Sequence, residues 1–214
     1  MTLFDRRAID AMPQRYRANL INCIPGYKPA LLVGSANAQG QSNLAIFSSV
    51  FHIGANPALL GMIVRPAPAG TERHTLENIL NSGCFTLNHV SAEMTSAAHQ
   101  SSARYPRDRS EFDATGLTAG YLENFPAPYV VESPIQLGLT LAEHQQLSIN
   151  DTHLIIGQVE WINCPESLIT DDGTVQLTGS DSQVVCGLDS YHSVTTGRRY
   201  GYAKPDTPTS VINP

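Results

Sequence analysis

The residues of this 214-residue chain best suited to chemistry fall in two short runs. The first is NLAIFSSVF, Asn43–Phe51. On an extended strand alternate side chains share a face. Asn43, Ala45, Phe47, Ser49 and Phe51 therefore point one way, and Leu44, Ile46, Ser48 and Val50 the other. A face carrying an amide, a hydroxyl and two aromatic rings suits a planar heteroaromatic ligand hydrogen-bonded at its edge. An ordinary buried strand whose serines bond to backbone is the competing reading. The second run is Arg65–Asn88. It ends a strand at Arg65, crosses a Pro/Gly loop and sets Arg73, His74 and Thr75 at the start of a helix. A helix N-terminus presents unpaired N–H groups and a dipole that favours an anion. Arg73 adds a forked cation and Thr75 a hydroxyl. These are the parts of a phosphate seat; a plain Thr cap among solvated charges is the other reading of the segment on its own.

Most other catalytic signatures are missing. The chain has no GxGxxG, no GxxxxGK[ST] and no GxSxG run. Its seven histidines, at 52, 74, 89, 99, 144, 153 and 192, form no HExxH or other close pair, so no metal site is expected. The cysteines at 23, 84, 164 and 186 form no CxxC, and a disulfide framework is not expected at this size. The net charge of −6, with only two lysines, argues against non-specific nucleic-acid binding. The start, MTLFDRRAIDAM, sets charges where a signal peptide needs an apolar core, so a reduced, cytoplasmic protein is expected.

Short strands must position the two runs. Between Lys28 and Arg65 lie 36 residues without Asp, Glu, Lys or Arg. Asn37, Gln39, Gln41, Asn43, His52 and the Asn56-Pro57 turn interrupt that stretch, so it holds no membrane span. The pattern predicts strands at Ala30–Ala36, Ser42–His52, Leu59–Val64 and Cys84–Val90, with a turn at 37–40. It predicts short helices at Thr75–Leu80, ended by Gly83, and at Ala92–Ser101. Residues 102–134 read as irregular. Alternation at Leu137, Leu139 and Leu141 predicts another strand, followed by a long one at His153–Asn163, a turn at Asp171-Asp172-Gly173 and an extended tail. Many strands and little helix predict a mainly β protein with a few short helices, closed as an antiparallel barrel. The uncharged run exceeds what one barrel core needs, which predicts an apolar interface between two copies.

A flat-ring face followed by a phosphate seat is what a phosphorylated flavin requires. The sequence resembles the flavin reductase-like family, whose fold is the FMN-binding split β-barrel of Greek-key type. The resemblance rests on NLAIFSSVF at 43–51, ERHTLENILNSGCFTLN at 72–88, EF at 111–112, THLIIGQVEW at 152–161, and GLDSYH at 187–192 with RRYGYAKPD behind it. It spans residues 18–206, leaving 1–17 as an N-terminal extension and 207–214 as a tail.

The resemblance implies FMN bound non-covalently at the interface of a homodimer, with Asn43, Leu44, Ala45, Phe47, Ser48 and Ser49 lining the ring. The family's phosphate motif is Lys-Asp-Thr with an Asn three residues on. Here it reads Arg73-His74-Thr75 with Asn78, which keeps the cation and loses a carboxylate. Tyr191 and His192 are candidate neighbours of the ring. The implied activity is NAD(P)H-dependent reduction of flavin, with a partner monooxygenase as an implied recipient and no side chain named as catalytic. An FMN-dependent oxygenase-type enzyme and a non-enzymatic flavin carrier are the alternatives; a barrel binding haem or a B6 phosphate is set aside only by the resemblance. Family reductases carry Gly-Asp-His before the long late strand. Asn150-Asp151-Thr152-His153 stands there instead, which predicts a poor or altered nicotinamide site.

Overall fold

The computed structural model describes residues 1–68 and 70–212. Two helices, α1 (Arg6–Asp10) and α2 (Gln14–Cys23), come first, followed by β1 (Lys28–Pro29), β2 (Leu31–Ala36), β3 (Ser42–Phe47), β4 (Val50–Ala55) and β5 (Ala58–Val64). Next come α3 (His74–Ser82), β6 (Cys84–His89), α4 (Thr95–Gln100), α5 (Glu111–Thr115), β7 (Ala119–Leu122) and β8 (Phe125–Val130). The long strands β9 (Gln136–Gln146) and β10 (His153–Asn163) follow, then β11 (Val184–Cys186), β12 (Ser190–His192), β13 (Arg199–Tyr200) and β14 (Val211–Ile212). Among the described residues no helix is long and apolar enough to cross a membrane.

Seven strands form one antiparallel sheet in the order β3-β2-β6-β9-β10-β5-β4. Its two edges, β3 and β4, are consecutive in the chain and separated only by Ser48 and Ser49. Laid flat, seven strands at ~4.8 Å spacing would hold the edges about 29 Å apart. A linker of two residues allows Phe47 and Val50 about 11 Å at most. The sheet therefore has to roll until its edges nearly meet, yet no ladder joins β3 to β4. The closed barrel expected from strand spacing is thus not formed; the cylinder stays open at Ser48-Ser49. The strand expected over Ser42–His52 is broken at the same place, because its two halves belong to opposite edges.

Both faces of β2 are covered, and all six of its residues are buried. Leu31 and Val33 enter one core with Met62, Ile79, Phe85, Leu139 and Ile155. Leu32 enters the other with Leu44, Val90, Phe112, Val130 and Val185. Two cores absorb much of the uncharged run. What remains exposed lies on the edge strand β4, where Phe51 and Ile53 face outward. Asn88 ties the layers together: its amide donates to Leu32 O (3.0 Å) and its Oδ1 accepts from Val130 N–H (2.9 Å). Strand β8, with two prolines, is held to β6 by that contact and by Thr86 Oγ1 donating to Pro128 O (2.6 Å). Residues 102–134 are therefore less irregular than their prolines suggest. They contain α5 and the β7–β8 hairpin, whose few residues leave little periodicity to read.

Partly buried His89 ends β6, where its Nδ1 contacts Ser182 Oγ at 2.9 Å. Burial lowers its pKa from 6.5 to about 4, so the folded protein binds fewer protons there than the unfolded chain. This contribution is present above pH 6.5 and is lost as the pH falls toward 4. In urea titrations wild type should lose about 3 kcal/mol more than His89→Gln between those limits. Parallel pH profiles for the two proteins would refute the assignment.

Candidate functional site

A buried polar node joins the start of α3 to the β2–β3 hairpin. Ser35 and Asn43 stand opposite each other in the β2–β3 register. The Asn43 amide donates to Thr75 Oγ1 (3.0 Å) and to Ser35 Oγ (3.4 Å), and the Asn78 amide donates to the same Ser35 Oγ (3.2 Å). All four side chains are buried. Thr75 accepts here, which leaves its own hydrogen available to a ligand. The α3 helix forms locally because Leu76 and Ile79 share a face against the core and because Gly83, at φ +72°, closes its last turn. At its other end the capping residue is Arg73, whose side chain caps nothing; its own N–H donates to Glu77 Oε1 (3.2 Å), and among the described residues the first-turn N–H groups of His74, Thr75 and Leu76 have no partner.

A cavity of about 790 Å³ opens in front of the node, within the ~300–1,000 Å³ of small-molecule sites. One wall is the free edge of the sheet, Ala45 through Ser49. Ser101–Tyr105, at the end of α4 and in the loop that follows it, also line the cavity. Arg65, Arg73 and Arg104 gather on the cavity beside the α3 N-terminus. Burial, then repulsion from Arg65 and Arg104, pulls the Arg73 pKa down. Among the described residues its guanidinium donates only to Pro66 O, at 3.3 and 3.4 Å. Among the described residues none of the three has a carboxylate partner, whereas neighbouring Arg107 is paired with Glu72 and Glu77. The cluster is therefore a standing positive field aimed at the cavity.

One buried acid reaches the same wall. Glu111, first residue of α5, accepts the Leu44 N–H at 2.9 Å. Burial raises its pKa, against the opposing pull of that hydrogen bond. Tyr191 also lines the cavity, its hydroxyl 3.2 Å from His99 Nδ1.

A model of the flavin reductase like domain matches residues 27–178. The chain belongs to the flavin reductase-like family. It is similar to a Shewanella frigidimarina NCIMB 400 protein assigned as a flavin reductase with a split barrel domain: 43% identity, TM-score 0.90, covering 95% of this chain and 100% of that one. Component B of nitrilotriacetate monooxygenase from Bacillus cereus shares the fold at TM-score 0.81 and 21% identity, covering 92% and 97% of the two chains. An uncharacterized protein of Deinococcus radiodurans is 27% identical over 168 residues, 76% of this chain and 73% of its own.

Of the residues expected to hold the flavin in this family, Asn43, Ala45, Phe47, Ser48, Ser49, Arg73, His74 and Thr75 all line the cavity. Two do not. The Leu44 side chain lies in the second core and its N–H is committed to Glu111. Asn78 faces a small recess behind α3 and serves the node. Phe51 falls off the shared face because the Ser48-Ser49 break resets the alternation; it is exposed on β4. His192 packs edge-on against Tyr27, away from Tyr191's position on the cavity. Neither Asp151 nor His153 is among the cavity residues; His153 Nδ1 lies 2.9 Å from His144 Nε2. Arg104 and Tyr105 went unread in the sequence. They sit in a loop between elements, where no periodicity assigns a face.

Proposed function

We propose that the protein binds FMN non-covalently in this cavity and acts as an NAD(P)H-dependent oxidoreductase that reduces flavin. The observation that carries the proposal is the unpaired Arg65–Arg73–Arg104 cluster beside the open α3 N-terminus, at one end of a cavity walled by the free sheet edge. A phosphorylated planar ligand fits that donor set. Arg73, the Thr75 hydroxyl and the first N–H groups of α3 would hold the phosphate; the ring would lie along Ala45–Ser49, with Phe47 as its apolar support. The bound isoalloxazine supplies the two-electron chemistry. The chain's own residues do the rest. Ser48 and Ser49 orient the ring edge through backbone and hydroxyl groups, Tyr191 and the 101–105 loop exclude water, and the arginines neutralise the phosphate without moving a proton.

Our reading extends to a homodimeric split barrel with the site at the subunit interface. The apolar edge strand β4 and the outward-facing Tyr16 and Ile21 of α2 support it, since a partner would cover them. The flavin-binding domain is taken as residues 18–206, with 1–17 and 207–214 as extensions. Four free cysteines suit a reducing, cytoplasmic setting, and reduced flavin would pass to a partner monooxygenase. A second reading, a flavin carrier without nicotinamide chemistry, is favoured by one observation: Asp151 and His153 stand apart from the cavity walls.

Anaerobic mixing of the flavin-loaded protein with NADH and with NADPH separates the two readings. Rapid bleaching of the flavin band with either supports the reductase; a band unchanged by both supports the carrier. The phosphate seat has its own test. Arg73→Ala should weaken FMN binding by about 1.5–3 kcal/mol, the worth of a charge-assisted hydrogen bond, and leave riboflavin binding unchanged. An equal loss for both ligands in a titration would place Arg73 away from the phosphate.

A further inference from the structure

Two cysteines from opposite ends of the chain meet at the rim of the cavity. Cys23 is the last residue of α2 and Cys186 the last residue of β11. The turn Ile24–Tyr27, with Gly26 at φ +91°, folds the chain back so that Lys28 pairs with Val185. Lys28 then fastens the two cysteine segments together. Its ammonium donates to Asn22 O (3.1 Å) and Gly187 O (2.9 Å), the carbonyls just before Cys23 and just after Cys186. The Cys23 sulfur rests against the Gly187 backbone, so close that a Cβ at 187 would lie 3.0 Å from it. The Cys23 sulfur therefore lies against the residue that directly follows Cys186, and all four cysteines of the chain are free. Asn22, Leu188 and Asp189, which flank the pair, line the cavity.

We propose that Cys23 and Cys186 are a redox pair that forms a reversible intramolecular disulfide, clamping α2 to the cavity rim. The helix makes this consequential, because within one chain α2 buries none of its residues and the Lys28 contacts hold its end. A covalent bridge at Cys23 would replace that weak tether. The oxidant is a peroxide. The exposed Cys23 thiolate attacks one oxygen of hydrogen peroxide; an S–O bond forms, the O–O bond breaks, and the departing hydroxide takes up one proton as water. Cys186 sulfur then attacks the Cys23 sulfenic acid; the S–S bond forms and a second water leaves. Two thiols lose two electrons and two protons, and the peroxide gains both. A small thiol in excess reverses the step by exchange. Desolvation, then the Cys186 thiol, raises the Cys23 pKa against the pull of Lys28. Cys84, buried in the sheet, and Cys164, which meets only the Pro165 carbonyl, have no such partner and serve as internal controls.

The test uses the full-length protein, reduced, freed of reductant and treated with hydrogen peroxide at a twofold excess. Titratable thiols in denaturant should fall from four to two, and a non-reducing peptide map should show one link, Cys23 to Cys186. Dithiothreitol should restore four. Cys23→Ser and Cys186→Ser should each abolish the link, while Cys164→Ser keeps it. Backbone amides of α2 should exchange with deuterium at least about tenfold more slowly in the oxidised wild type than in the reduced protein, and at equal rates in both Ser variants with and without peroxide. Four remaining thiols, a link between two chains, or a Cys23–Cys186 link without slower α2 exchange would each overturn the proposal. None of these readouts depends on flavin.

Discussion

The site depends on a single buried hydrogen-bond node, in which the Asn43 amide bridges Ser35 and Thr75 while Asn78 shares the Ser35 hydroxyl. Buried amide and hydroxyl groups are costly unless paired, so these four side chains admit few alternative arrangements. Their geometry sets where α3 begins relative to the hairpin. The start of α3 in turn sets where its open N–H groups and Arg73 face. A helix held only by Leu76 and Ile79 could slide along the core with little change in apolar burial. The polar node removes that freedom.

The second constraint is topological. Because β3 and β4 are the two edges of one seven-stranded sheet and are joined by two residues, the sheet must roll and cannot seal. The unsealed gap leaves backbone groups at Ser48 and Ser49 without ladder partners along most of the edge; the carbonyl of Ser49 still accepts from Ile63. Edge backbone of this kind is normally a liability. Here it forms a wall of the cavity, which is also lined by a loop that carries Arg104 and Tyr105. Fold and cavity therefore share one origin: the opening that prevents a closed barrel is also a wall of the cavity.

How much of this could be read beforehand follows from the range of the interactions involved. Strands β2, β5, β6, β9 and β10 were legible because each carries its own hydrophobic pattern. So was α3, which has an apolar stripe and a glycine stop. Arg73 and Thr75 stand at a helix start, as expected, because a helix start is a local event. Leu44 and Asn78 lie off the cavity for a reason of another kind. Their roles are fixed by partners 67 and 43 positions away, Glu111 and Ser35, and no local pattern announces such a partner. The break at Ser48-Ser49 was not predicted because two serines within a run of β-forming residues look the same whether the run spans one strand or two edges. Helix α5 and the β7–β8 hairpin were hidden by their shortness and their prolines.

The most direct test of the central claim is the FMN dissociation constant of Ser35→Ala. Ser35 is fully buried and is not among the cavity residues, so it can affect a ligand only through the node. Removing its hydroxyl leaves the Asn43 and Asn78 amides short of an acceptor, a loss of about 1–3 kcal/mol. If the node aims the phosphate seat, FMN affinity should fall about tenfold while riboflavin affinity changes little. A variant that loses stability yet binds FMN as tightly as wild type would contradict the account.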